Sequence, residues 1–489
     1  MNDIAAQKIL INVGDTDLGN GTIVVSSFRG RQALSELYEY EVILETNVEG
    51  GLAPEVIDSL MLNSILIRYG SDLTGELHGV MRSVEMLPMY PNRPTSYRAV
   101  LVPKLWRTTL TRRSRVWQDM SYPDIVKSVL EEHGHEDGVG FDMSQVNGSY
   151  PTLEYTVQYE ESDFDFISRL LEYHGIHYHF SQNPTCECLV VGDDNRAFVE
   201  VSGFERVAHQ TRAATDGEGG LREMTCRRQP LTGKVNVRDY NWRTPTTPLR
   251  EEHDCDSATG QGVSDFFGDH FADGAEGAAL AQIRAEEMMV HREVYGAQSS
   301  IRQLRAGAKV ELHGHLSPDF DQEYLVIEVE ESMGGAGGES RGGSGYSSSI
   351  RAITFETPFR PGRRAKWPRI DGIVNAKIDG EVRSTATPID GEGRYKVAIP
   401  YDTKAKGGGK ASRWVRMAQP SAGNGYGMHF PLHVGTEVAI MHVNGDPDRP
   451  IIIGAVPNAE TLSPVNSNNA THSQIKTGSG LLIEFDDDC

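Results

Sequence analysis

The sequence is poor in the features that define disulfide-rich, membrane-spanning or classically secreted proteins. Its 489 residues include only five cysteines. An odd number in so long a chain indicates no disulfide framework and favours a reducing compartment. No stretch approaches the roughly 20 consecutive apolar residues of a membrane-spanning helix. The start of the chain lacks the basic and apolar segments of a signal peptide, so we expect none.

Positive charge is also scarce. The chain has 47 Lys and Arg residues against 69 Asp and Glu residues, a formal net charge of -22. A nucleic-acid-binding protein needs a positive surface to displace phosphate counterions, so this composition argues against that class. What the chain does have is glycine, 51 residues, with 38% hydrophobic residues. This composition predicts a loop-rich, mainly β protein of three or four domains.

Short alternating segments separated by Gly, Asn and Pro predict β-strands over most of the chain. The predicted strands are 22–28, 38–44, 64–69, 97–102, 154–159, 176–180, 186–191, 235–241, 309–313 and 324–330. Three helices interrupt them. Ser121 and Ser162 are the predicted N-caps of the first two, with Gly134 and Gly175 as their ends. The third helix is predicted over 275–291. A Gly/Ser-rich stretch, 333–349, is typical of a long hairpin loop.

The region 366–460 is predicted to be a small barrel of about five strands, compatible with an OB fold. Those strands are 372–377, 394–400, 414–419, 437–443 and 451–456. The most distinctive sequence within it is the proline-fixed turn Gly445, Asp446, Pro447, Asp448, Arg449, Pro450. Nothing in this turn is a reactive group, so we interpret it as architectural. The basic segment 360–366 is interpreted as a solvated connector rather than as a ligand of acidic neighbours.

Several motifs, in order along the chain, resemble the VgrG family, the spike proteins of type VI secretion systems. They are 114–118 with 123–126, 155–171, 414–416, 431–438 and 445–454. VgrG proteins are related to the hub and spike proteins of contractile phage tails. The resemblance implies a mainly β protein with α+β inserts: two phage-hub-like β-barrels with an α/β subdomain, an OB-fold-like barrel, and the start of a trimeric β-helix.

The resemblance also implies a division of the chain. We predict a first hub β-barrel over 1–103, an α+β hub subdomain over 104–230 and a second hub barrel over 231–362. The OB-fold-like spike domain follows over 363–460, and a neck with the first needle strand over 461–489. The implied partners are two further copies of the chain, the tail-tube protein with the baseplate, and a tip protein of the PAAR type or an effector. Assembly in the cytoplasm and delivery without a signal peptide are also implied.

The end of the sequence departs from the family pattern, because the stretch 478–489 resembles the first needle strand and then stops. We interpret it as a lone strand with Leu481, Ile483 and Phe485 on one face. A lone strand cannot bury an apolar face. These three side chains are therefore predicted to line a trimer axis and a platform for the tip. Either the needle is very short or the sequence is truncated, and the residues favour neither.

The strongest candidate for bond-making chemistry is a set of potential metal ligands, His177, His179, Cys186 and Cys188, with His174 nearby. Pairing His179 with Cys186 would put all four on one strand face. Their spacing matches no standard zinc finger, so we expect ordinary hairpin residues, no metal and no cofactor. The acids Glu160, Glu161, Asp163 and Asp165 lie at a predicted helix start. The helix dipole explains acids there without a catalytic role.

Alternatives from other classes remain open. One is the hub-spike of a contractile phage tail or of an extracellular injection particle. Another is a spike-borne enzyme, for which neither a Walker A loop nor a His-Glu-x-x-His motif is present. A third is an OB-type binding module using Tyr395, Trp414, Tyr426 and Phe430. The 366–460 region has 12 Lys and Arg against 10 Asp and Glu residues. That near balance argues against a nucleic-acid groove.

Overall fold

The computed structural model describes residues 8–14, 16–17, 23–70, 73–210, 219–334, 345–381 and 387–488. The chain forms two compact units. The first comprises Met1–Thr111, Val126–Ser149 and Ile167–Lys366, and the second comprises Arg112–Ile125, Tyr150–Phe166 and Trp367–Cys489. The predicted five-part division of the chain stays a prediction.

The first unit is built on one 14-stranded sheet. In spatial order its strands are Val199–Glu200, Ala308–His313, Arg206–His209, Gly220–Arg228, Glu293–Ser299, Tyr346–Thr354, Glu323–Gly334, Val24–Ala33, Glu39–Thr46, Thr95–Val102, Gly75–Met86, Ile65–Gly70, Lys8–Val13 and Thr16–Asp17. An additional pairing between Ala308–His313 and Glu323–Gly334 closes six of these strands into a barrel. The mainly β fold class predicted from the sequence is confirmed.

The two halves of the large sheet meet where Glu323–Gly334 pairs antiparallel with Val24–Ala33. A buried polar cluster lies at this seam, centred on Glu331, which is 3% exposed. Its carboxylate accepts hydrogen bonds from the hydroxyls of Tyr40 at 2.5 Å, Tyr69 at 2.9 Å and Tyr346 at 2.8 Å. The guanidinium of Arg305 lies 3.5 Å from the same carboxylate. A buried carboxylate without hydrogen-bond partners destabilises the folded state. The partners of Glu331 come from strands in both halves of the sheet, so this cluster links the two halves through one side chain.

Two smaller sheets complete the first unit. One contains Phe141–Gln145, His177–Gln182 and Glu187–Gly192, and the other contains Lys234–Asp239, Leu249–Asp254 and Val263–Phe267. Helix Gly274–Met289 packs on the second of these sheets and begins at Asp273, whose carboxylate accepts hydrogen bonds from the Ala275 and Glu276 amides. The predicted hairpin around 333–349 is present as antiparallel strands Glu323–Gly334 and Tyr346–Thr354, and residues 335–344 lie outside the described part.

The predicted helix starts are confirmed. The hydroxyl of Ser121 accepts a hydrogen bond from the Asp124 amide at 3.3 Å, and Ser162 does the same for Asp165 at 3.0 Å. The helices they cap are Tyr122–Glu132 and Asp163–Tyr173. One helix, Pro54–Leu62, is not among the three helices that the sequence predicts. Within the described residues, none of the helices combines the length and the apolar character needed to cross a bilayer.

The described part of the second unit contains four sheet structures. A two-stranded ribbon pairs Arg112–Trp117 with Thr156–Ser162. A five-stranded sheet contains, in order, Lys396–Ala398, Val374–Asp379, Glu437–His442, Pro450–Ala455 and Arg416–Met417. Reciprocal hydrogen bonds between Tyr395 and Val415 link its two ends, which makes the predicted small barrel. Two further short strands, Ala422–Gly423 and Tyr426–Gly427, form a hairpin. The terminal hairpin pairs His472–Lys476 with Leu482–Asp486.

Candidate functional site

The terminal hairpin corrects the prediction that the last strand is unpaired. Leu482–Asp486 pairs in register with His472–Lys476, with Ile483 opposite Ile475 and Phe485 opposite Ser473. This earlier strand escaped prediction because its sequence is mostly polar. The predicted apolar face is nevertheless exposed: Leu481 is 73%, Ile483 56%, Phe485 64% and Ile475 43% exposed. That these side chains line a trimer axis stays a prediction.

The opposite face of the terminal hairpin is polar and internally bonded. His472 lies between two carboxylates, with Nδ1 2.9 Å from Glu484 and Nε2 3.6 Å from Asp486. The hydrogen bond to Glu484 raises the pKa of His472. Gln474 donates to the same Glu484 carboxylate. Within the described part of the chain, the hairpin therefore has one face held by polar contacts and one apolar face that stays exposed.

The proline-fixed turn joins strands Glu437–His442 and Pro450–Ala455. Gly445 has a positive φ of 73°, and a Cβ there would lie 2.8 Å from a carboxylate oxygen of Asp371, so this position favours glycine. Asp446 accepts a hydrogen bond from the Asp448 amide at 3.0 Å and lies 3.6 Å from the Arg449 guanidinium.

The turn makes a contact that the sequence did not predict. Asp448 is 5% exposed, and its carboxylate accepts a hydrogen bond from the Val157 amide of the ribbon at 2.6 Å. Val116 lies directly opposite Val157 in the ribbon, and its amide donates to Asp402 at 3.3 Å. Two aspartates from separate loops of the barrel thus satisfy backbone amides on both strands of the ribbon. No local sequence signal marks either contact, because both join distant segments.

A buried ionic cluster stabilises the ribbon. Arg115 is 1% exposed, donates to Gln158 at 2.9 Å and lies with its guanidinium 4.2 Å from the Trp117 ring centre. Asp163 is fully buried and accepts hydrogen bonds from Arg113 and Gln158. Asp163 is therefore engaged as an ion-pair partner. This explains in physical terms why the motifs at 114–118 and 155–171 contain these residue types.

The candidate metal ligands lie in one hairpin, and its register differs from the one that would bring them together. His179 pairs with Val190 rather than with Cys186, and Cys188 pairs with Ser181. The four side chains lie on one face of the hairpin. Because the strands pair in a different register from the one considered in the sequence analysis, the two histidines and the two cysteines are offset from each other along that face. Among the described residues, no three of their potential ligand atoms come within 4.8 Å of one another. The expectation that no metal binds stays a prediction.

Both histidines of this hairpin are packed in an aromatic environment. The His177 ring stacks on Phe198 with 4.3 Å between ring centres, and its Nε2 donates to the Asp194 carbonyl at 3.1 Å. Burial lowers the pKa of His177 to about 3 and that of His179 to about 4. Both rings are therefore neutral at physiological pH. Their surroundings are those of core residues.

The basic segment 360–366 is not the solvated connector that the sequence favoured. Arg360 pairs with Glu286 at 2.7 Å and donates to the Gly175 carbonyl at 3.1 Å. Arg363 lies 3.4 Å from Glu287. Glu172, which is 7% exposed, accepts hydrogen bonds from the amides of Arg364 at 2.9 Å and Ala365 at 3.0 Å. Acidic side chains of helices in the first unit thus hold the segment in place.

Two family models match this architecture. The model for the phage tail baseplate hub (GPD) matches residues 31–336, which is more than half of the chain. The chain belongs to this hub family. The model for the type VI secretion system/phage-baseplate injector OB domain matches residues 378–456, the region of the five-stranded barrel.

Hub-family relatives extend the similarity over nearly the whole chain. The type VI secretion system spike protein VgrG1b of Pseudomonas aeruginosa is 28% identical over 489 residues, covering 97% of this chain and 64% of the relative. The actin cross-linking toxin VgrG1 of Vibrio cholerae is 29% identical, covering 91% of this chain and 41% of the relative. The chain thus spans about half the length of these curated relatives. The resemblance to the VgrG family is confirmed.

A solved structure supports the fold of this hub-family chain. The Escherichia coli c3393 protein, described as a component of the type VI secretion system with similarity to T4 tail proteins gp27 and gp5, aligns with a TM-score of 0.66. The alignment covers 91% of this chain and 99% of that protein at 22% identity. At this identity the likeness establishes the shared fold.

Proposed function

We propose that this chain is the hub and spike subunit of a type VI contractile injection machine. The proposal depends on one observation. In a single chain, the region that matches the tail-hub model, 31–336, precedes the region that matches the injector OB-domain model, 378–456. The similarity to VgrG spike proteins over nearly the whole chain points to the same role.

The proposed working form is a homotrimer. The terminal hairpin leaves Leu481, Ile483 and Phe485 more than half exposed, on the face that also carries Ile475. Burial of apolar surface contributes about 25 cal/mol per Å², so three such faces meeting at an axis would stabilise one another. The trimer would cap the tail tube near the baseplate. Its far end would carry a PAAR-type tip protein or an effector.

The proposed action is mechanical. Sheath contraction supplies the free energy, and the spike remains folded while it punctures an envelope, contacting the target membrane only mechanically. The chain itself would perform no catalysis, need no cofactor and bind no nucleic acid. It would assemble in the cytoplasm and leave the cell with the injected tube.

Native mass measurement tests the trimer, with and without tail-tube protein. The expected species has three times the 53.9 kDa subunit mass. The variant Ile483→Asp/Phe485→Asp should shift this species to monomer. Leu62 and Leu316 are 73% and 87% exposed in the first unit, so Leu62→Asp/Leu316→Asp is the matched control and should leave the trimer intact. A wild-type monomer in the presence of tube protein contradicts the proposal.

A further inference from the structure

Four Asn-Gly steps occur in this sequence, at 20–21, 147–148, 424–425 and 444–445. The first lies outside the described residues. In such a step the side-chain amide carbon of asparagine lies close to the next backbone nitrogen, and glycine has no side chain to obstruct their approach. The structure gives the three described steps different surroundings, so it distinguishes steps that are equivalent in sequence.

The step 424–425 is the two-residue turn of a hairpin in which Gly423 pairs with Tyr426. Asn424 and Gly425 are both exposed. Within the described part of the chain, the Gly425 amide and the Asn424 side chain have no hydrogen-bond partner. A Cβ at Gly425 would meet no atom within 4 Å. The Gly425 nitrogen is therefore accessible to water and is not held by hydrogen bonds.

The step 147–148 is held by a carboxylate. The amides of Asn147 and Gly148 both donate to one oxygen of Asp193, at 2.8 Å and 2.6 Å. A backbone nitrogen that donates to a carboxylate keeps its proton, because the negative charge opposes ionisation of the N–H group. The Gly148 nitrogen is therefore a poor nucleophile, although the residue is exposed.

The step 444–445, at the start of the proline-fixed turn, is held on both sides. Gly445 is buried, and its carbonyl accepts a hydrogen bond from the Ile370 amide at 2.7 Å. The carbonyl of Asn444 accepts from the Arg369 guanidinium at 3.0 Å. Ring closure between the asparagine side chain and the glycine nitrogen would have to rotate the peptide units that these contacts fix.

We propose that Asn424 is a site of spontaneous modification, deamidation through a cyclic imide. The Gly425 nitrogen attacks Cγ of Asn424 and gives up its proton to solvent, and the side-chain nitrogen leaves as ammonia. Water then opens the succinimide ring at either carbonyl, which yields aspartate or isoaspartate. Water is consumed and ammonia is released in equal amounts, and no oxidant or cofactor takes part.

The modification changes the hairpin. Either product adds a negative charge next to Tyr426, which is 74% exposed. Isoaspartate also routes the backbone through the former side chain, which adds a methylene group to a two-residue turn. Since turn length fixes the register of a hairpin, the pairing of Gly423 with Tyr426 should be lost in that product. This modification does not depend on the spike function proposed above.

Peptide mapping by mass spectrometry tests the site, using the full chain kept folded at mildly alkaline pH. Asn424 should be converted about tenfold faster than Asn147, because Gly148 must first break a hydrogen bond to a charged group. In guanidinium chloride these contacts are absent, and Asn147, Asn424 and Asn444 should react at similar rates. Asn424→Gln should abolish the modification, since glutamine forms the corresponding ring far more slowly.

A second variant tests the protection of the other exposed step. Asp193→Ala removes the acceptor of the Gly148 amide and should raise the rate at Asn147 toward the rate at Asn424 in the same sample. Asp142→Ala removes an acceptor from the same segment without touching Gly148, so it is the matched control and should leave Asn147 slow. Equal rates at Asn147 and Asn424 in the folded wild type overturn the site. So does an Asn424 that stays intact in the folded chain while it reacts in guanidinium chloride.

Discussion

The carboxylate of Asp448 accepts a hydrogen bond from the amide of Val157 at 2.6 Å, across 291 positions of sequence. This contact gives the proline-fixed turn a physical role. The turn orients one buried carboxylate toward the backbone of the ribbon, while Asp402 satisfies the amide of Val116 opposite. Within the second unit, the ribbon and the barrel are thereby joined through hydrogen bonds to backbone amides. These hydrogen bonds do not depend on the side chains of the two valines.

Asp448→Ala should destabilise the second unit by about 1–3 kcal/mol, because a buried amide loses its acceptor. Asp448→Asn retains an acceptor oxygen and should cost less. Hydrogen exchange checks this directly: the Val157 amide should exchange faster in the alanine variant. Asp488 is exposed near the end of the chain, so Asp488→Ala serves as the control. Unchanged protection of Val157 in Asp448→Ala would show that the hydrogen bond contributes nothing.

The buried cluster at Glu331 yields a second prediction. In Glu331→Gln, the amide nitrogen cannot accept from the hydroxyls of Tyr40, Tyr69 or Tyr346, and Arg305 loses its buried counter-charge. Breaking a buried ion pair by removing one partner costs about 3–5 kcal/mol. Chemical denaturation of the first unit should show a loss of this size. Glu330→Gln, at the exposed neighbouring position, should be close to neutral. A neutral Glu331→Gln would mean that the cluster is not required at the seam.

Local signals predicted local structure well. Ser121 and Ser162 cap helices as expected, since a cap requires only residues three positions apart. Long-range contacts were not predictable, because nothing near Asp448 or Glu331 identifies a partner 291 positions away. The partner of the last strand was missed because His472–Lys476 contains one apolar residue, Ile475, and lacks a strong strand pattern. The register of the hairpin that contains His179 depends on the length of its loop. The residue types at His179 and Cys186 do not reveal that length.

The candidate metal hairpin leads to a negative prediction. After dialysis against a chelator and re-exposure to zinc, the protein should retain no stoichiometric metal. Cys186→Ser/Cys188→Ser should leave the thermal midpoint within the range expected of small side-chain changes, since neither cysteine is expected to be a ligand. Elemental analysis and thermal unfolding provide the two measurements. Retention of one zinc per chain, lost in the double variant, would restore the metal site.

Glu172 should make stability depend on pH. Burial raises its pKa from 4.5 to about 7, even though the amides of Ala365 and Arg364 favour the charged form. Because the folded-state pKa is raised, the stabilising contribution is that of the protonated carboxyl. It is complete below about pH 4.5 and is lost as pH rises through about 7. Since a tenfold difference in proton affinity between the folded and unfolded chain corresponds to about 1.4 kcal/mol, the contribution is at most about 3 kcal/mol.

Thermal unfolding of the wild type and Glu172→Gln across pH 4.5–8 measures this contribution. The glutamine side chain does not titrate, so the variant should lack the part of the pH dependence that Glu172 supplies, and the two curves should converge in slope near pH 8. Glu460→Gln, an exposed acid in the second unit, is the control and should follow the wild type. Parallel curves for wild type and Glu172→Gln would show that Glu172 is charged throughout. In that case the amides of 364–365 dominate over burial.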